Sequence, residues 1–256
     1  MKPFIIGSGW KMNNTIAQSL ALIKNLQIGL KGFDAFPLFV LPPFTALQSV
    51  GQWLDKDERI RFGAQNMHWE GAGAFTGEVS APMLKEVGCT YVELNHQERR
   101  AYFGETNDTA NRKIRTALKF GLKPILCLGE EELLADSGVR SFLRAQVAEL
   151  LAGVSAAAVA DIIFAYEPRW AIGKADAAPA SHVKKVHGII REVLAEEYGA
   201  AIAEKTYIIY GGSVDGANAV EIAVQPGVNG LFIGRAGLNP DGFAAIIKEV
   251  AQALRA

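Results

Sequence analysis

Three side chains in this chain have the makings of acid–base chemistry: a carboxylate at Glu167, an imidazole at His96 and an ammonium at Lys11. Together they supply a base, a group that titrates near neutrality and a fixed positive charge. Glu167 stands in FAYEPRWAIGK, after the apolar, β-forming run 162–166 and directly before a proline. Proline disfavours helical geometry in the residue before it, so the glutamate ends a strand and does not begin a helix. Residues 169–178 are small or mixed, contain Gly173, and lead through Pro179 to a helix near Ser181. That pattern describes a short flap hinged beside the carboxylate. His96 and Glu98 share the stretch ELNHQERR, and Lys11 lies in GSGWKMN. Taken singly, each also has an ordinary reading: a solvated acid, a loop histidine satisfied by backbone, a loop lysine, an acid at a helix N-terminus.

The elements that must position them alternate regularly. Short β-forming runs occur at 4–8, 38–41, 60–65, 91–94, 124–128, 162–166, 206–210 and 231–233. Several are almost wholly apolar, as strands covered on both faces must be. Helical patterns lie between them, among them 15–30, 108–120, 130–151, 181–198 and 241–254, with capping residues at Asn14 or Thr15, within 106–109, and at Ser181 and Asp215. Strand then helix, eight times over without a linker, predicts a single (β/α)8 TIM barrel domain over 1–256. Function in such a barrel gathers at the C-terminal ends of the strands. Lys11, His96, Glu98 and Glu167 all follow a strand, so they converge on one mouth. YGGSV after the seventh strand and GLFIGRAGL after the eighth add glycine turns whose amides can cup a phosphate, with Gly173 in the flap as a third contributor.

The 256 residues are 50% hydrophobic and carry a formal net charge of −1. That balance supports a large core and argues against a nucleic-acid or anionic-membrane surface, leaving a small anionic ligand held by local chemistry. No long apolar run or signal-like leader is apparent, so a cytoplasmic protein is expected. Cys89 and Cys127 have neither metal-ligand nor disulfide spacing and are expected to be buried thiols. No metal or cofactor is called for, since side chains can supply both proton transfer and charge stabilisation. His68, His182 and His187 read as structural or exposed, and Glu130–Glu132 as first-turn helix acids. The insertion GAQNMHWEGAGAFTGE is too apolar for a free loop. Its Met67, Trp69 and Phe75 are expected to pack against a partner chain, making the 65–78 loop the seal of a homodimer; packing back on its own barrel is the alternative.

Seven ordered segments carry a resemblance over nearly the whole chain: WKMN at 10–13, GAFTGE at 73–78, HQERR at 96–100, FGET at 103–106, PILCLGE at 124–130, YEPRWAIG at 166–173 and YGGSV at 210–214. In these the sequence resembles the triosephosphate isomerase family. The resemblance implies that Glu167 removes a proton from the carbon beside a carbonyl, that neutral His96 polarises the oxygens of the enediolate, and that Lys11, paired with Glu98, adds positive potential. It also implies that Gly173, Ser213, Gly234 and Arg235 hold the phosphate, that Trp10 adjoins the lysine, that Tyr210 supports the site, and that Thr76 reaches the neighbouring subunit's site. The departures cluster at the mouth. The family has asparagine at Gly9, a second glycine at Arg235, glycine and serine at Asn95 and Gln97, and an aliphatic residue at Arg169. QNMHW at 65–69 and GLFIGRA at 230–236 resemble a sibling group, the isomerases of four-carbon ketose phosphates in erythritol-type catabolism. A substrate of the L-erythrulose 1-phosphate type, its extra hydroxymethyl group in the space left by Gly9, is the favoured expectation. The orthodox glycolytic reaction between glyceraldehyde 3-phosphate and dihydroxyacetone phosphate is the alternative, and a catalytically silent phosphate-binding barrel stands behind both.

Overall fold

The computed structural model describes residues 3–55, 57–171 and 178–255. Eight parallel strands close into a barrel in sequence order: β1 (Ile5–Gly9), β2 (Leu38–Leu41), β3 (Ile60–Ala64), β4 (Tyr91–Leu94), β5 (Lys123–Leu128), β6 (Ile163–Tyr166), β7 (Tyr207–Tyr210) and β8 (Gly230–Ile233). Closure runs through β1 and β8, with Ile5 beside Gly230 and Ser8 beside Ile233. The expected runs match these strands to within a residue at each end.

Alternation along each strand divides the core in two. Ile5, Phe39, Leu41, Tyr91, Ile125, Cys127, Ile163, Ala165, Ile209 and Phe232 fill the barrel interior. The intervening residues, such as Ile6, Val40, Val92, Leu126, Phe164, Ile208 and Leu231, face the surrounding helices. Filling the interior demands positions without a side chain, such as Gly7, where a Cβ would lie 2.0 Å from the Phe39 ring.

Helices Ile16–Gly29 and Asn107–Lys119 begin at complete capping boxes on Thr15 and Thr106, as expected. Two other caps differ. Ser181 lies inside the helix Ala180–Tyr198, whose N-cap is Pro179. The Asp215 carboxylate accepts the Ala217 N–H in a turn before the helix Ala219–Ala223. The helix expected from residue 130 starts only at Asp136. Glu130 is no first-turn acid: it is fully buried and accepts hydrogen bonds from Tyr166 Oη at 2.8 Å and Trp170 Nε1 at 2.7 Å.

The 65–78 segment also corrects an expectation. Met67 is buried in the chain's own core, and the Trp69 carbonyl accepts a bond from the Thr116 hydroxyl at 2.7 Å. Only the tip faces outward, with the Phe75 ring tilted against His68 at 4.2 Å between centroids and the residue 42% exposed.

Candidate active site

The inward phase of the strands delivers the site. Residues 163 and 165 point into the barrel, so 167 does too, and Glu167, the residue after β6, is 5% exposed. The same phase on β4 brings in Tyr91 and then Glu93, and on β1 Ile5, Gly7 and Gly9. Room for Glu167 depends on Gly211 after β7, where a Cβ would lie 2.7 Å from both Glu167 Cγ and Oε1.

His96 caps the helix Gln97–Phe103, and its Nδ1 accepts the Glu98 backbone N–H at 3.1 Å. An accepting Nδ1 leaves the proton of a neutral ring on Nε2, which lies 3.5 Å from Glu167 Oε2 and 4.0 Å from Glu93 Oε1. Burial, followed by the positive charge of Lys11, pushes the imidazole down to about 4, so the ring is neutral at pH 7 and presents Nε2–H to the mouth.

Glu167 is shifted the opposite way. Burial, reinforced by the charge of Glu93, holds its carboxyl well above the usual carboxylate range, while Lys11 opposes the shift. Its buried Oε2 has no hydrogen-bond partner among the described residues. The raised carboxyl is a strong base in its ionised form, and its unmet oxygen 3.5 Å from an imidazole nitrogen fits a base for a proton on a ligand between them.

Lys11 pairs with Glu98. Burial disfavours the ammonium, but the Glu98 hydrogen bond and the charges of Glu98, Glu167 and Glu93 outweigh it and raise the lysine further. The residue adopts a positive φ of 51°, and Gln65 Nε2 holds its carbonyl and that of Leu41 at 2.9 Å each. Asn95, at φ 64°, occupies a left-handed position that asparagine tolerates better than most residues. Its amide donates to the Cys127 carbonyl at 2.9 Å, and its backbone N–H donates to the buried Glu105, which also receives Arg99 and Lys113.

The ends of the flap are fastened to this frame. Trp170 Nε1 reaches Glu130, the Ser213 hydroxyl donates to the Ala171 carbonyl at 2.9 Å, and Ala178 N–H donates to Tyr210 Oη at 3.2 Å. Gly173 lies outside the described residues. His182, expected to be structural or exposed, supports the hinge, with Nε2 3.0 Å from Tyr166 Oη and its ring edge-on to Trp170.

Gly9, Lys11, Glu93, His96, Glu98, Glu167, Ser213, Gly234 and Arg235 line one cleft. A Cβ built on Gly234 meets nothing within 4 Å, so the turn is open to a ligand. Arg235 is exposed on the same rim and forms no ion pair with a described residue. Two expected contributors face elsewhere. The Trp10 indole is fully buried in the layer between barrel and helices, as the outward phase of β1 dictates, so at most its backbone borders the cleft. Tyr210 likewise faces outward and acts on the flap. The space beside Gly9 is smaller than a bare void, since an added Cβ would lie 3.1 Å from Phe232 Cζ and 4.0 Å from Glu93 Oε2.

Comparison with known proteins decides what this arrangement belongs to. The family model described as Triosephosphate isomerase matches residues 3–250. The chain belongs to the triosephosphate isomerase family. It is 44% identical to the triosephosphate isomerase of Acetivibrio thermocellus over 245 residues, covering 95% of this chain and 97% of that protein. It is 41% identical to that of Dictyoglomus thermophilum over 249 residues, covering 97% and 100%. The crystal structure of triosephosphate isomerase from Bartonella henselae superposes with a TM-score of 0.85 at 32% identity, covering 96% of this chain and 98% of that one. The barrel and the isomerase class of this family member therefore stand on both its own geometry and its relatives.

Sequence reasoning missed Glu93, yet a signal was present: in YVEL it is the acidic residue of an otherwise apolar strand, in phase with the inward Tyr91. Donor atoms of Glu93, His96 and Glu167 lie within 4.8 Å of one another, close enough to share a divalent cation. The same spacing suits three groups around one proton-transfer centre, and Lys11 already brings a cation there.

Proposed function

We propose that this protein moves the carbonyl of a short phosphosugar to the neighbouring carbon by proton transfer through an enediolate. The observation that carries the reading is the 3.5 Å approach of His96 Nε2 to the unpartnered Oε2 of Glu167. Glu167 takes the proton from the carbon beside the carbonyl and returns it to the former carbonyl carbon. His96 Nε2–H and the Lys11 ammonium hydrogen-bond the oxygens as negative charge develops on them, and the hydroxyl proton passes from one oxygen to the other by way of His96 Nε2. Ser213, Gly234 and Arg235 face the phosphate, with the Gly234 turn giving open access to backbone and Arg235 a cation on the rim. The relatives are triosephosphate isomerases, which favours glyceraldehyde 3-phosphate and dihydroxyacetone phosphate as the substrate pair.

A second reading, a tetrulose 1-phosphate converted to the 4-phosphate, is favoured by one specific observation. The reacting end of the cleft pairs a side-chain-free Gly9 with the carboxyl of Glu93. We also infer a homodimer, because the exposed tip at 72–78, with Phe75, offers an apolar patch on an extended loop.

Turnover of the purified protein on glyceraldehyde 3-phosphate and on erythrulose 1-phosphate, with Glu167→Gln as control, tests the assignment. Gln in place of the base is expected to lower kcat about 10²- to 10⁴-fold on whichever substrate is used. Retention of kcat within tenfold would remove Glu167 from the base role.

A further inference from the structure

Glu93 is the acidic residue of the eight strands, 7% exposed, at the floor of the cleft. Its hydrogen bonding is sparse. Cys127 Sγ approaches Oε1 at 3.8 Å, and Oε2 bonds to no described residue. His96 Nε2, 4.0 Å from Oε1, is closer to Glu167 Oε2. On the opposite side stands Gly9, which brings no side chain to cover Oε2. Glu93 lines the cleft, so a polar group of a ligand can reach this oxygen and complete it.

We propose that Glu93 is a specificity-determining residue: it hydrogen-bonds a hydroxyl next to the reacting carbons, in a substrate one hydroxymethyl group longer than a triose phosphate. The proposal rests on the four-carbon reading above. The reacting end of a triose phosphate carries two oxygens, which His96 Nε2–H and the Lys11 ammonium serve. A third buried polar group beside Glu167 then has no oxygen to meet, whereas a hydroxymethyl substituent brings one. The protonation state fits as well. Burial pushes Glu93 up to about 8, against the pull of Lys11 and with reinforcement from Glu98 and Glu105, and Cys127, His96 and Glu167 are the other titratable neighbours. At pH 7 the group is a carboxylic acid, which both donates and accepts, as a hydroxyl does.

The test measures kcat/KM on erythrulose 1-phosphate and on glyceraldehyde 3-phosphate for the wild type, Glu93→Leu and Glu93→Gln. Leucine removes both hydrogen bonds at similar volume, and the tetrulose-to-triose ratio is expected to fall about 10- to 150-fold, the loss for a buried hydrogen bond left unmade. Glutamine keeps a donor and an acceptor and should hold the ratio within about tenfold of wild type. Glutamine should also erase the decline in tetrulose kcat/KM that the wild type shows as Glu93 ionises near pH 8. If the wild type turns over the tetrulose phosphate and Glu93→Leu leaves the ratio unchanged, the role of Glu93 is overturned while the four-carbon reading survives. Absence of tetrulose turnover in the wild type overturns the four-carbon reading itself. Should the leucine variant fail to fold, an alkaline limb that persists in Glu93→Gln overturns the proposal.

Discussion

Replacing Glu93 by glutamine should stabilise the protein, increasingly so as pH rises. Glu93 is 7% exposed, and burial raises its carboxyl from 4.5 to about 8. Below pH 4.5 the group is protonated in both the folded and unfolded chain and contributes no pH dependence. Between 4.5 and 8 the unfolded chain releases its proton and the folded chain keeps it, so stability drains away with rising pH; above 8 both states are ionised and the difference is constant. At about 1.4 kcal/mol per pH unit, the accumulated loss is about 3 kcal/mol at pH 7 and approaches about 5 kcal/mol above pH 8. Glutamine has nearly the same shape and inherits the same sparse hydrogen bonding, so it cancels the pH-dependent loss and adds little offset of its own. For a chain of this size, 3 kcal/mol corresponds to about 6–12 °C in Tm. Thermal melts of both proteins at equal concentration from pH 5 to 9 are the assay, and the gap in Tm should open with pH. Parallel curves would show that Glu93 is ionised and compensated in the folded state, and a gap that closes with pH would reverse the sign of the argument. An acid that weakens the fold at working pH and yet occupies the substrate end of the cleft fits a group retained for binding.

The remaining predictions concern the mouth and the loop tip. Gly9→Asn places a Cβ 3.1 Å from Phe232 Cζ and carries a side chain toward Glu93, so the phenyl ring must shift by a few tenths of an ångström. Activity on a tetrulose phosphate should fall about 10- to 200-fold relative to triose phosphate, the range for a methylene-sized misfit; equal losses on both substrates would mean that Gly9 shapes the loop alone. The exposed tip at 72–78 should seal a dimer, which sedimentation at micromolar concentration reads directly. A fully active monomer there would leave the tip with another role.

The barrel was legible because its signal is repeated: eight apolar runs, each followed by a helical period, with caps whose chemistry is local. Misreadings arose where a distant contact overrode a local pattern. Glu130 follows a strand and precedes a helix, which reads as a first-turn acid, but Tyr166 and Trp170 draw it into the core and the helix waits until Asp136. Met67 sits in an insertion that looks like a protruding loop, yet it is fully buried in the chain's own core.

The chemistry was legible by position, and its gaps came from taking position without phase. Searching the residues that follow each strand finds Lys11, His96 and Glu167, but it equally admits Trp10, whose outward phase commits it to the helix layer. The same search passes over Glu93, which lies inside its strand. Phase sorts all of them at once: Ile163, Ala165 and Glu167 form one inward row, Tyr91 and Glu93 a second, and Gly9 and Gly211 stand at the inward ends of two more. Glycine on two rows makes space, and carboxyls on the other two occupy it. A search that had asked which inward positions near the mouth depart from an apolar side chain would have found Gly9 and Glu93 together, as two halves of one pocket wall.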